Sequence, residues 1–372
     1  MSSTANKENN PPSRTAIKLG KRARDASSLE DHRKQSRVDP LIHYGRHFGR
    51  TIRTFYRMQP LVKNGITRNM QLEAGRISEA DLSQSELSEH KIYLQLLNLV
   101  PGLEERLSVG SDNESFYVAD TITKGIDSAR ADDTKSLKSV IVDWITPQGG
   151  VLTPPIQRNV KTDRGFYHPR TGELLCPVNL DWNDPKIRRD LSGGHLVPSG
   201  DLWPRFLYQG YEYDPSNPWV GLLRSSLLVY AFKHVFTSPS SVTNKGASRA
   251  TRSCNARIHG MKAVTIPSIA YIATQVRFGL SSQASFSRAD RMSDSEYFYN
   301  LVIELLEDPE EEAEVDDLLM WWNREIFPTY VSDGRTIHQD SVISKIKERR
   351  RLMQLQAAAD DSLAGGSGGS DP

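Results

Sequence analysis

Arginine, lysine and hydroxyl side chains, with no carboxylate among them, make the chain's clearest chemical pattern. From Thr237 to Lys262 the sequence reads TSPSSVTNKGASRATRSCNARIHGMK and carries Lys245, Arg249, Arg252, Arg257 and Lys262 among Ser and Thr. Guanidinium, ammonium and hydroxyl donors on a long loop suit phosphate oxygens. A stretch this long without periodicity, inside a folded domain, is more often functional or disordered than idle. It lies within a longer run, Pro215 to Ala289, that contains no Asp or Glu. Acids return at Asp290 and crowd into Glu304–Asp317, enough negative charge to neutralise the loop from within the molecule. Phosphate binding and internal neutralisation are the two readings this asymmetry leaves open.

Two further basic elements flank the middle of the chain. Near the start, Lys21-Arg22 is followed ten residues later by Arg33-Lys34, then Arg37. Two basic clusters at that spacing on an unstructured tail match the two-part signal read by an import receptor through acidic grooves. A solvated charge run, or an arm touching nucleic acid, would look the same. Near the end, Lys345, Lys347, Arg349, Arg350 and Arg351 make a helical stretch basic. Lys7-Glu8-Asn9 resembles a degradation box, although three residues match easily by chance.

Catalytic and metal-binding patterns are thin. His43 and His47 are four apart, as in a helical metal pair, but no acid or cysteine cluster completes a site. Asp132-Asp133, Asp181/Asp184 and Asp316-Asp317 fall on helices or a turn, whereas a two-metal nuclease needs acids on neighbouring strand ends. Asp133 also reads as the N-cap of a helix. Nucleophile-elbow, P-loop and dinucleotide-binding signatures are missing. No catalytic residue, metal ligand or cofactor is therefore assigned. If the chain is an enzyme, its first suspects are Asp163, Arg164, His168 and Cys176, around an expected hairpin.

The elements that position these residues are mainly helical. With 372 residues the chain can bury one large core or two ordinary ones, and its 37% hydrophobic content suggests unfolded ends. Residues 1–38 are expected to be a disordered basic tail, and 364–372 a flexible Gly/Ser tail. A single multi-helix domain is expected over 39–330, then a linker and basic C-terminal helix over 331–363. Apolar spacing predicts helices over 41–63 (kinked or stopped at Pro60), 82–100, 113–131, 134–145, 201–208, 218–236, 264–281, 293–306 and 310–327. Ser293 and Glu296 read as a capping box. Residues 151–213 are richer in Pro, Gly, Asn and Asp and read as a loop-rich insert. Within it, Gly165–Cys176 reads as a small β-hairpin turning at Pro-Arg-Thr-Gly.

The run Trp219–Phe236 is apolar but carries Arg224, Lys233 and His234, so a buried helix is expected and not a membrane span. Cys176 and Cys254 lie far apart and suggest no disulfide framework, which fits a reducing compartment. In the last domain helix, Leu318, Leu319, Trp322 and Ile326 share a core face. Trp321 then projects about 100° away, as a contact for a protein partner.

Several segments resemble one known family. They are His43-Tyr44-Gly45-Arg46-His47-Phe48-Gly49-Arg50-Thr51, Val100–Glu104, Arg130–Lys138 and Asp143-Trp144-Ile145. Asn159–Phe166, Phe236–Ser241 and Thr274–Phe278 add to them. The chain resembles, over about 40–330, an uncharacterised family from mushroom-forming fungi catalogued as domain of unknown function 6698. The resemblance implies no activity, cofactor or catalytic residue. Members look lineage-restricted and multi-copy, which tilts towards mobile-element, genome-defence or recognition roles.

The expected function is that of a nuclear, non-catalytic protein associated with DNA or RNA through its basic loop and ends, nuclear or shared between nucleus and cytoplasm. The alternatives are a protein-interaction scaffold without nucleic-acid binding, and an unrecognised enzyme with a site near 163–176.

Overall fold

Several helices start here where a side chain accepts from the free amides of a first turn or a proline takes an early position. In α3 (Gln84–Leu99) the Ser83 hydroxyl accepts from Glu86 N–H, and the Glu86 carboxylate accepts from Ser83 N–H. α10 (Ile266–Leu280) has the same device in Thr265 and Ser268. In α7 (Pro185–Ser192) and α8 (Ser226–Phe232), Asp184 and Ser225 are the capping acceptors. The other helices are α1 (Pro40–Thr51), α2 (Met58–Glu73), α4 (Leu103–Val109), α5 (Asp112–Ile145), α6 (Pro169–Leu175), α9 (Asn255–Ile258), α11 (Ser295–Glu307) and α12 (Glu312–Ile326). The computed structural model describes residues 39–237, 254–286 and 294–327, with single positions 242, 342, 345, 346, 349, 350 and 353.

α5 organises the rest. Its 34 residues make a rod of about 51 Å. The N-terminal half, through Val118, Ile122 and Ile126, packs with α1, α2 and α3 around Phe48, Leu61 and Leu96. The C-terminal half, through Leu137, Ile141 and Ile145, enters a larger core with α8, α10, α11 and α12 around Phe232, Tyr271, Phe298 and Trp322. A third, small cluster joins Cys176, Trp182 and Leu191.

The expected break at Ala131–Thr134 does not occur. No Gly or Pro interrupts that stretch, and Asp133 is not an N-cap but a buried partner of Arg50, 7% exposed. The helix expected over 41–63 is instead two. Thr51 and Thr54 hydroxyls donate back to His47 and Gly49 carbonyls and end α1, while Pro60 sits in the first turn of α2. The helix expected over 218–236 is shortened to α8 plus a π-helical turn, Lys233–Thr237. Left-handed backbone at Gly221 and Leu223 keeps the preceding residues out of it.

The β-hairpin is also corrected: the described residues contain no strand, only isolated bridges Pro177–Pro204 and Tyr208–Leu222. Gly165–Tyr167 is a 3-10 turn and Pro169–Leu175 is α6. His168 caps α6, its Nδ1 accepting from Arg170 N–H at 3.0 Å, and Pro169 takes the first helical position. The positive-φ glycine is Gly165. Gly172 is helical and lies under the Trp182 indole, which leaves no room for a Cβ. The short helix expected over 201–208 is two 3-10 turns, Arg205–Leu207 and Gln209–Tyr211. The basic tail at 1–38, Ser293 and most of 328–372 lie outside the described residues.

Candidate functional site

The acid-free run divides into cations held by the fold and cations left at its surface. Arg224 donates to Asp317 at 2.7 Å and lies over the Trp321 ring. Lys233 is 3.9 Å from Glu325, and Arg277 lies over Phe298. Arg257 in α9 and Lys262 beyond it are exposed, and among the described residues neither forms an ion pair. Lys245, Arg249, Arg252 and the import-signal residues Lys21, Arg22, Arg33, Lys34 and Arg37 lie outside the described residues.

Both ends of the basic segment are pinned. Asn255 Nδ2 donates to Val235 O at 2.5 Å, which brings the chain back to α9 beside the π-turn it left. Downstream, Val264 N–H donates to Asn323 Oδ1 at 2.7 Å and Thr265 Oγ1 to Thr51 O at 2.9 Å. The second of these ties the segment to α1. The acids expected to neutralise the segment are partly engaged elsewhere: Glu307 accepts both oxygens' worth of bonds from Arg53, and Asp317 is bound to Arg224.

Beside Lys262 opens a cleft of about 1090 Å³ between α3, the 259–267 turn and the α11–α12 corner. His47 and His259 line it as a stacked pair, ring centroids 4.2 Å apart and planes within 12°. Burial, then the charges of His259 and Arg50, push the His47 pKa down to about 3. Burial, then Arg50, His43 and Arg46, push His259 down to about 4. Both rings are neutral near pH 7, and the buried His47 Nδ1 has no hydrogen-bond partner. His43 is exposed and is not part of the stack, although its charge acts on His259, and among the described residues no group of three or more His, Cys, Asp or Glu could hold a metal ion.

The stack gives a pH prediction. An unfolded histidine titrates near 6.5, so between that value and the folded values the unfolded state binds protons that the folded state refuses. Stability from the pair is complete above about pH 6.5 and is lost as pH falls towards 4 and then 3. His259→Phe keeps a stacked ring and removes one titration. Thermal midpoints measured from pH 7 to pH 4 should therefore fall less steeply in the variant than in the native chain.

The residues suspected around 163–176 are held apart in backbone contacts. His168 donates from Nε2 to Pro154 O at 2.7 Å while Nδ1 caps α6, so both ring nitrogens are occupied. Arg164 donates to the carbonyls of Gly279, Arg158 and Gln157. Cys176 is fully buried, and burial pushes its thiol up to about 11. Asp163 is exposed beside Thr162. They do not converge in a pocket. Trp321, expected to face a partner, is half-buried between Arg224 and Trp322.

Contacts absent from any sequence pattern join distant segments. Arg50 grips Asp133 through two hydrogen bonds of 2.7 Å, and Tyr271 donates to the same carboxylate at 2.7 Å. Lys161 donates to Phe278 O at 2.6 Å and Arg164 to Gly279 O at 2.8 Å, so two buried basic side chains close the C-terminal carbonyls of α10. Burial, then Arg164 and Lys138, push the Lys161 pKa down to about 6.

What this geometry defines among the described residues is a helical domain on one long central helix, with an open cleft lined in part by the 259–262 end of the cationic segment. A model of a family of unknown function (DUF6698) matches residues 124–327, more than half of the 372 residues, and the chain belongs to that family. The match begins within α5, so the resembling segments around His43–Thr51 and Val100–Glu104 lie outside the matched residues. No curated protein and no solved structure matches the chain. Among the described residues no helix is long and apolar enough to cross a membrane.

Proposed function

We propose that the chain is a nuclear, non-catalytic protein that associates with DNA or RNA by electrostatic contact with the phosphate backbone. The observation that carries this reading is that Arg257 and Lys262 form no ion pair among the described residues, in an acid-free run that also holds Lys245, Arg249 and Arg252. The pairing of Glu307 with Arg53 and of Asp317 with Arg224 withdraws two acids from the competing reading, in which the remaining acids of Glu304–Asp317 neutralise the segment. Lys21, Arg22, Arg33, Lys34 and Arg37 supply the import signal, and the basic residues of 345–351 assist binding. No Phe, Tyr or Trp is interleaved with the segment's cations, and the His259 ring is already stacked on His47, so the contact is to backbone and not to stacked bases.

Fluorescence anisotropy with labelled duplex DNA, single-stranded DNA and RNA tests this. The full chain should bind at low salt, and Arg249→Ala/Arg252→Ala/Arg257→Ala should weaken binding about a hundredfold, at roughly 1 kcal/mol per lost phosphate contact. Failure to bind any of the three at low salt would overturn the proposal. A scaffold role then gains ground, and its support would come from the cleft more than from Trp321, which Arg224 and Trp322 half cover.

A further inference from the structure

The cleft between α3 and the α11–α12 corner has the walls of a helix-binding groove. On α3, the lining residues Gln84, Ser88, Lys91 and Gln95 recur every three or four positions, so one helix face looks into it. On the opposite wall Asp308, Glu312 and Asp316 form an acidic rim. Glu307 also lies there but is bound by Arg53. Apolar lining comes from half-buried Met261, Ile266 and Leu319. Lys91 and Lys262 are the cations that line the cleft without an acid partner among the described residues. An occupant should therefore be helical, apolar on one stripe, and basic where it meets the α12 rim.

The chain carries such an element. Val342, Lys345, Ile346, Arg349, Arg350 and Met353 are helical positions. Val342, Ile346 and Met353 are spaced by four and seven, which places them on one face, and they are 73%, 55% and 55% exposed. An uncovered apolar stripe flanked by cations calls for an apolar, acidic partner. The element can reach this one. α12 runs about 22 Å from its acidic start at Glu312 to Ile326. The 15 residues from 327 to 341 can span up to about 50 Å when extended. A return along α12 to Glu312 is well within that length.

We propose that the chain's own basic segment, residues 342–353, docks in this cleft, with Val342, Ile346 and Met353 against the apolar lining and Lys345, Arg349 and Arg350 along the rim of Asp308, Glu312 and Asp316. The docking does not rest on the phosphate-binding reading, although it would compete with a nucleic acid for Lys345, Arg349 and Arg350.

Hydrogen-exchange mass spectrometry on the full chain tests the docking. Amides of 342–353 should exchange about tenfold or more slowly than unprotected peptide amides. In Glu312→Lys/Asp316→Lys this protection should be lost, and adding Lys345→Glu/Arg349→Glu should restore it. Ile346→Asp, at an exposed position that leaves the core untouched, should release the segment and also raise exchange over 306–319 on the cleft wall. Absence of protection in the native chain would overturn the proposal. So would protection that ignores both Glu312→Lys/Asp316→Lys and Ile346→Asp. Protection that rises with protein concentration would place a second copy in the cleft and equally overturn docking within one chain.

Discussion

Asp133→Ala should destabilise the protein by about 3–5 kcal/mol, the largest effect of any single polar substitution in the described core. The carboxylate is 7% exposed and accepts three hydrogen bonds, two from Arg50 and one from Tyr271. Removing it leaves the Arg50 guanidinium buried at 2% exposure with no anion beside it. Burial alone would lower the Arg50 pKa, but the hydrogen bonds and charge of Asp133 outweigh that and raise it, so the side chain stays charged. The energy at stake is the desolvated cation and not the attraction itself. Arg50→Met/Asp133→Leu should accordingly recover most of the loss, while Tyr271→Phe should cost about 1 kcal/mol. Urea unfolding followed by far-UV circular dichroism measures all three. A single-variant loss below about 1 kcal/mol would show that water reaches the pair and that it behaves as a surface bridge.

Gly125→Ala should destabilise the fold by about 1–3 kcal/mol, against the usual gain of about 1 kcal/mol when alanine replaces glycine inside a helix. α1 and α5 cross with their backbones in contact. A Cβ on Gly125 would run into the Ile42 carbonyl, and one on Gly45 into the Ile122 carbonyl. Backbone cannot move aside as a side chain can, so the two helices must separate and the cluster around Phe48, Ile122 and Ile126 must open. Gly45→Ala should behave alike. The pair together should lose less than the sum, because the first substitution already parts the helices. Thermal unfolding of the four chains of this cycle measures it, and a raised midpoint in either single variant would mean that the crossing has slack.

Much of the fold was legible from apolar spacing. α3, α10 and α12 fall within a residue or two of their expected spans, because each has a long apolar periodicity and a terminator near its ends. The α6 sequence reads as a hairpin because Phe166, Leu174 and Leu175 flank a Pro-Arg-Thr-Gly run that serves a turn and a helix start equally well. His168 ahead of Pro169 was the available signal, histidine being a less familiar cap than Ser or Asp. Asp133 shows the other kind of failure. An Asp before Thr is a good N-cap locally, and only Arg50 and Tyr271, 83 and 138 residues away, decide otherwise.

The site follows the same division. The acid-free basic run is a property of composition and could be read directly. The His47–His259 stack and the cleft join residues from α1, α3, α11 and α12 that no spacing connects. One local hint existed: Gln84, Ser88, Lys91 and Gln95 put a polar stripe on an otherwise leucine-rich helix.

Duplex-DNA affinity of the full chain as a function of salt tests the central claim most directly. Each neutralised phosphate contributes a slope of about −0.9 in log affinity against log salt. Contacts by most of Lys245, Arg249, Arg252, Arg257 and Lys262 predict a slope of about −3 or steeper, flattened when all five are replaced by alanine. A slope near zero, or one that the five substitutions leave unchanged, would contradict phosphate contact by this segment.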